Sequence, residues 1–149
     1  MLHNFKSSLN KGQVGEEYLL KHWPELKRLD GLNADFALPD GRTLELKTDY
    51  YCITKTGNLF IERISNANKQ SPGGPWQAAS KGIDLFAYLY LKNGTLWLFD
   101  TAKLVKFLDG AVYPESEIKN KNYVTIGMKV PRADVAHIAT IKEFESGNK

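Results

Sequence analysis

"ADFALPDGRTLELKTD", residues Ala34–Asp49, decides how the chain is read. Two apolar runs meet at Leu38-Pro39-Asp40-Gly41, where Pro and Asp suit a type I turn and Gly suits the left-handed residue that closes it. A three-residue loop, Pro39 to Gly41, pairs Leu38 with Arg42, Phe36 with Leu44 and Asp35 with Glu45. Side chains alternate along a strand, so Phe36, Leu38, Leu44 and Leu46 share a core face while Asp35, Glu45 and Lys47 gather on the other. A two-residue loop would shift the register and split the acids. Two opposed carboxylates cost a few tenths to about 1 kcal/mol, and something positive must offset that. Lys47 offers one charge from the same face; a divalent cation such as magnesium offers two and prefers hard oxygen donors. The plain alternative is a cross-strand charge cluster on a solvated face, worth little to stability.

Outward from the hairpin, the flanking segments predict one α/β domain around a central mixed β-sheet flanked by helices. Before it, Leu9, Gly12, Glu16, Leu19, Leu20 and Trp23 recur three or four apart, a helical stripe that Pro24 ends. Strand-like runs are expected at Leu26–Leu29, Ala34–Leu38, Arg42–Thr48 and Asn58–Ile64. "SNANKQSPGGPW" (65–76) reads as a loop, with a short helix starting near Pro75. "IDLFAYLYL" (83–91) is a continuous apolar run of β-forming residues and belongs in the middle of a sheet, covered on both faces. Asn93-Gly94 turns the chain into "TLWLFD", Thr101 is placed to cap a helix that Gly110 ends, and "YVTIGMKV" is a last strand. The expected core spans about residues 8–110, with 111–149 as a C-terminal extension of one 1–149 domain.

Glu16 lies on the stripe that faces the sheet, so it needs a cationic or metallic partner. Gly12 and Gly15 let the helix backbone come close enough for that contact, at about 1 kcal/mol of helix propensity each.

Composition narrows the function classes. The chain has 149 residues, a net charge of +3 and one cysteine, Cys52. That length buries a real core without disulfides or structural zinc, and a lone cysteine suits a reducing compartment. No long uncharged run and no apolar leader are present, so a soluble cytoplasmic protein is expected. His3, His22 and His137 are too scattered for a metal or triad site, and no phosphate-binding glycine loop is found.

An acid followed on the next strand by Glu-X-Lys, here Asp35 and Glu45-Leu46-Lys47, resembles the signature of the PD-(D/E)XK nucleases. "KGQVGEE", with Lys11, Gly12 and Glu16, is similar to the first helix of the archaeal Holliday junction resolvases in that superfamily. A proline does not directly precede Asp35, where Asn33-Ala34 stand instead. The resemblance implies a restriction-endonuclease-like domain and a magnesium-dependent DNA endonuclease, with manganese able to substitute. It implies Asp35, Glu45 and the Leu46 carbonyl as metal ligands, Glu16 as an outer or second-metal carboxylate, and Lys47 as the group that orients the attacking water. Substrate contacts are expected from Lys11, Lys69, Gln77 and Lys81, with Gln70 and Arg63 also near DNA and Trp76 more at home in the core.

With no room for a sequence-reading module, selectivity is expected for branched DNA, cut by a homodimer with two sites. The setting would be DNA recombination, repair or phage DNA processing, in the host cytoplasm if phage-encoded. The rivals are an exonuclease or restriction-like nuclease of the same fold, and a non-catalytic nucleic-acid-binding domain.

Overall fold

The computed structural model describes residues 13–29, 34–49 and 58–144. The first helix, α1, covers residues 13–22 of these. Four strands follow: β1 (Lys27–Arg28), β2 (Phe36–Ala37), β3 (Thr43–Asp49) and β4 (Asn58–Asn66). Then come β5 (Ser71–Pro72), α2 (Gly74–Ser80), β6 (Leu85–Tyr90), β7 (Thr95–Asp100) and α3 (Thr101–Asp109). The chain continues through β8 (Glu115–Lys119), β9 (Val124–Pro131), α4 (Arg132–Val135), a 3-10 turn (Ala136–Ile138) and β10 (Ala139–Glu143).

The hairpin forms as its turn residues dictate. Gly41 N–H donates to Leu38 O at 2.9 Å and Leu38 N–H to Arg42 O at 2.8 Å, and Gly41 takes φ +93°, a value open to glycine at little steric cost. The ladder Phe36↔Leu44 and Ala37↔Thr43 follows. Phe36, Leu38 and Leu44 are buried with Leu19 of α1, and Leu46 packs against them.

β6 occupies the middle of the mixed sheet, ordered β1-β2-β3-β6-β7-β10, and all six of its side chains are buried. Leu85, Ala87 and Leu89 face α1, while Phe86, Tyr88 and Tyr90 face a second core. Burying each large side chain contributes about 1.5–3 kcal/mol, which explains why the strand carries no polar alternation. β6 runs parallel to β3, and two reciprocal bonds pin the start of that pairing. Thr43 N–H donates to Asp84 Oδ2 at 2.9 Å, and Asp84 N–H to Thr43 Oγ1 at 3.2 Å.

The expected single sheet is only part of the architecture. Among the described residues a second, antiparallel sheet has the order β5-β4-β9-β8. Leu59 and Ile61 of β4 and Met128 and Val130 of β9 close the second core, together with Ala78 of α2 and Leu104 and Leu108 of α3. Two tyrosine hydroxyls tie β4 to the mixed sheet. Phe60 N–H donates to Tyr88 Oη at 3.0 Å, and Tyr90 Oη donates to Asn58 O at 3.1 Å. These bonds satisfy one main-chain donor and one main-chain acceptor of β4.

Three local expectations are corrected. The segment 65–76 is not all loop, since it holds the end of β4 and the strand β5, while the helix expected near Pro75 does form as α2. Asp100 rather than Thr101 caps α3, its Oδ1 accepting the Lys103 N–H at 3.0 Å, because Thr101 already has helical backbone. The chain beyond residue 111 is built into both sheets, since β9 pairs with β4 and β10 with β7.

Candidate active site

The site grows from a departure in the hairpin. The β2–β3 ladder stops at Phe36↔Leu44, and Asp35 N–H donates to Leu44 O at 3.1 Å. Asp35 and Phe36 therefore both stand against Leu44, a bulge that removes the direct Asp35–Glu45 opposition expected from the register. Instead, Asp35 turns its side chain onto β3. Its Oδ2 accepts the Leu46 N–H at 2.8 Å, while its carbonyl accepts the Leu29 N–H of the β1 side at 3.0 Å. The carboxylate has taken the place of the next rung of the ladder. N–H and C=O of one strand residue point to the same side, so the Leu46 carbonyl faces this same edge.

Helix α1 closes on the edge from the other face. A Cβ on Gly15 would stand 2.0 Å from Thr48 Oγ1, so only glycine lets the helix backbone approach β3 this closely. Glu16, the next residue, thereby comes near enough for its charge to act on Glu45. The partner expected for Glu16 is Arg28 of β1, whose Nη2 lies 3.5 Å from Glu16 Oε1. Arg28 Nε and Nη2 are buried and find no hydrogen-bond acceptor among the described residues.

Electrostatics shows how closely these carboxylates crowd. Burial raises the Asp35 carboxyl above its ordinary range, partly offset by the Leu46 N–H and by the charge of Lys81. Glu45 is pushed up to about 7, first by burial and then by the Asp35 charge; Lys81 opposes the shift and Glu16 adds to it. Lys81, which follows α2, thus contributes a charge that favours the ionised form of both acids. Lys47 pairs across the cleft that it lines with Glu45, its Nζ 3.3 Å from Glu62 Oε2.

Glu62 is the site residue that the sequence reading missed. It sits on β4, in the second sheet, and lines a cleft of about 110 Å³ with Glu45, Lys47, Phe60 and Gln77. Alternation along β4 carries the signal: Leu59 and Ile61 turn into the core, so Phe60 and Glu62 turn out of it. Only the packing of the two sheets says that this outer side meets Lys47. Gly73 and Gly74 bring α2 onto the same spot. A Cβ at Gly74, where φ is +44°, would lie 2.7 Å from the Glu62 carbonyl.

Of the other expected contacts, Gln77 lines the cleft and Lys81 reaches it by charge. Lys69 stands apart in the turn joining β4 to β5, where its N–H and that of Asn68 bond the Asn66 side chain, and Gln70 bonds its own turn at Ala67 O. Arg63 faces away, paired with Glu115 through both ends of its guanidinium. Trp76 packs against the second core and donates its indole N–H to Asp109 Oδ1 at 2.9 Å, as a core residue does. Lys11, Gly12 and His3 lie outside the described residues. His22 stacks on Phe144 and His137 meets Phe107, far apart in the chain and on different cores.

Among the described residues no group of three or more His, Cys, Asp or Glu side chains is arranged to hold a metal ion as it stands. The donors at the β3 edge are two carboxylates and a main-chain carbonyl, all hard oxygens. That set fits magnesium, which is commonly bound by one or two carboxylates with water and substrate phosphate completing the shell. The raised carboxyls fit it too, because a divalent charge would favour the ionised forms that burial disfavours in both and that the Asp35 charge further disfavours in Glu45. No protein-family model matches the chain, and no curated protein is similar enough to it to count as a match.

Proposed function

We propose that the chain is a magnesium-dependent nuclease that hydrolyses phosphodiester bonds of DNA, with manganese able to substitute. The observation that carries this reading is the gathering of Asp35, Glu45 and the Leu46 carbonyl at one edge of β3, where Asp35 Oδ2 accepts the Leu46 N–H and burial, then the charges of Asp35 and Glu16, push Glu45 up to about 7. A fold that holds like charges together at a cost to its own stability suits a cation site better than a scaffold.

Asp35, Glu45 and the Leu46 carbonyl would hold the metal. When bound, magnesium supplies a Lewis acid that polarises the phosphate and lowers the pKa of a bound water. Asp35 is kept in place by the Leu46 N–H, so little rearrangement is needed to present its other oxygen. Lys47 puts an ammonium beside Glu45 along the same strand face, where it can orient the attacking water and stabilise charge on the phosphate. Gln77 of α2, which lines the cleft, and Lys81 just after the helix would contact the nucleic-acid strand. Glu16, tied to Arg28, serves at the rim as an outer carboxylate.

Branched DNA is the substrate proposed, acted on by a homodimer, since two symmetric cuts need two sites. The test is cleavage of labelled linear, single-stranded, flapped and four-way-junction DNA with magnesium by wild type, Glu45→Gln and Lys47→Met. Wild type should cut, and each substitution should lower the rate by about 10²-fold or more while the fold persists. Preference for a four-way junction would support the resolvase subclass, and stepwise loss from ends would assign an exonuclease instead. Failure to cut any DNA or RNA with magnesium or manganese overturns the reading.

A further inference from the structure

The geometry points to Glu62 as the positioning residue for Lys47, an inference that rests on the nuclease reading above. Lys47 belongs to β3 of the mixed sheet and Glu62 to β4 of the other, yet their side chains meet at 3.3 Å across the cleft. A lysine stem has four rotatable bonds and a compact charge with no preferred fork geometry, so an unanchored ammonium spreads over many rotamers. Glu62 removes that freedom from within the same cleft that Glu45 and Lys47 line. The charge of Lys81 acts on both Asp35 and Glu45, while the ion pair of Lys47 is with Glu62.

Glu62 is itself unusually well fixed. The β4–β9 register shifts between Glu62↔Gly127 and Ile64↔Ile126, leaving Arg63 as the extra residue of a bulge directly after it. Such bulges re-aim a side chain. On the other side, Gly73 N–H donates to Arg63 O at 3.0 Å, and a Cβ at Gly73 would stand 3.1 Å from Glu62 Cβ. Gly74, at φ +44°, brings α2 against the Glu62 carbonyl. The "PGGP" of residues 72–75 is therefore a clamp on Glu62 more than a flexible loop. The pair stays half-exposed at the cleft, where an ion pair adds little stability, so its geometry is better explained by where it puts the ammonium.

The test compares wild type, Glu62→Gln, Glu62→Asp and Lys47→Met in the full chain, measuring kcat, KM for DNA and the magnesium concentration for half-maximal rate. Side-chain order of Lys47 is followed by NMR relaxation at its Cε and Nζ, a readout that needs no cleavage. Glu62→Gln should lower kcat by about 10–100-fold, the scale of a misplaced group, with KM and the magnesium requirement unchanged, and Lys47 order should fall. Glu62→Asp should retain more activity and more order than Glu62→Gln. Unchanged kcat and unchanged order in Glu62→Gln, with Lys47→Met inactive, overturn this inference and leave the nuclease reading standing. A raised magnesium requirement at unchanged Lys47 order overturns it in favour of a metal ligand. A wild type that cuts nothing overturns the nuclease reading, and Lys47 order alone then decides whether Glu62 holds it.

Discussion

Asp35 completes with its side chain a rung that the β2 main chain leaves open, its Oδ2 accepting the Leu46 N–H at 2.8 Å. The bond does two jobs. It satisfies a part-buried donor on β3, and it aims a carboxyl at the edge where Glu45 and the Leu46 carbonyl also stand.

Removing that acceptor and removing only its charge should differ. Asp35→Ala leaves the Leu46 N–H unpaired and should cost about 1–3 kcal/mol of stability. Asp35→Asn keeps an oxygen at the same place, and burial already disfavours the ionised carboxyl, so it should fold at least as stably as Asp35→Ala by a clear margin. Both should abolish cleavage. Urea denaturation beside the DNA assay separates the two roles.

Metal-free stability should depend on pH through Glu45. Its carboxyl titrates near an ordinary 4.5 in the unfolded chain and at about 7 in the folded one. Between these values the folded state binds the extra proton, so its contribution to stability falls as pH rises through that window and levels off above it. Glu45→Gln should remove this slope. Magnesium should raise the melting temperature more at pH 8 than at pH 5.5, since the cation meets an ionised Glu45 only at the higher pH.

Lys81 and Lys69 make a matched pair of controls. Lys81 lowers the proton affinity of both Asp35 and Glu45, so Lys81→Ala should move the acidic limb of the rate–pH profile to higher pH and weaken DNA binding. Lys69 stands in the β4–β5 turn, bonded to Asn66, and Lys69→Ala should leave the profile where it is. Rates measured from pH 5.5 to 9 with saturating magnesium decide this.

Gly15 should tolerate no side chain. Gly15→Ala gains helix propensity but drives a methyl group into Thr48, 2.0 Å from Oγ1 and 2.8 Å from Cβ. A net loss of about 1–3 kcal/mol is expected from the overpacking. Thr48→Ala should recover part of it, because Oγ1 and Cγ2 leave while Cβ remains. A double-mutant cycle in urea measures the coupling.

Much of this protein was legible before its coordinates. Pro39-Asp40-Gly41 specified the turn, the two-residue period put Phe36, Leu38, Leu44 and Leu46 on the core face, and the unbroken apolar run Leu85–Tyr90 marked the central strand. Each of these depends on contacts within a few residues or on how completely a segment is buried, and both leave a direct pattern in the sequence. Glu16 on α1 and Glu45 and Lys47 on β3 stand on the elements expected for them, whereas Asp35 falls just before β2 rather than within it.

Tertiary structure decided what lies between distant segments. Glu45 and Phe86 are neighbours only because β3 and β6 pair in parallel, and Glu62 meets Lys47 only because a second sheet packs against the first. At Asp35 the main-chain carbonyl accepts from Leu29 on the β1 side while the N–H donates to Leu44 of β3, an arrangement that involves a third segment beyond the hairpin. The charge of Lys81 acts on Glu45 although the two stand 36 positions apart in the chain, and Gly73 and Gly74 let α2 settle on the Glu62 backbone. Turn chemistry and strand alternation act along the chain and are written in its order; charge balance in the cleft acts through space, and only the packed elements fix which charges share it.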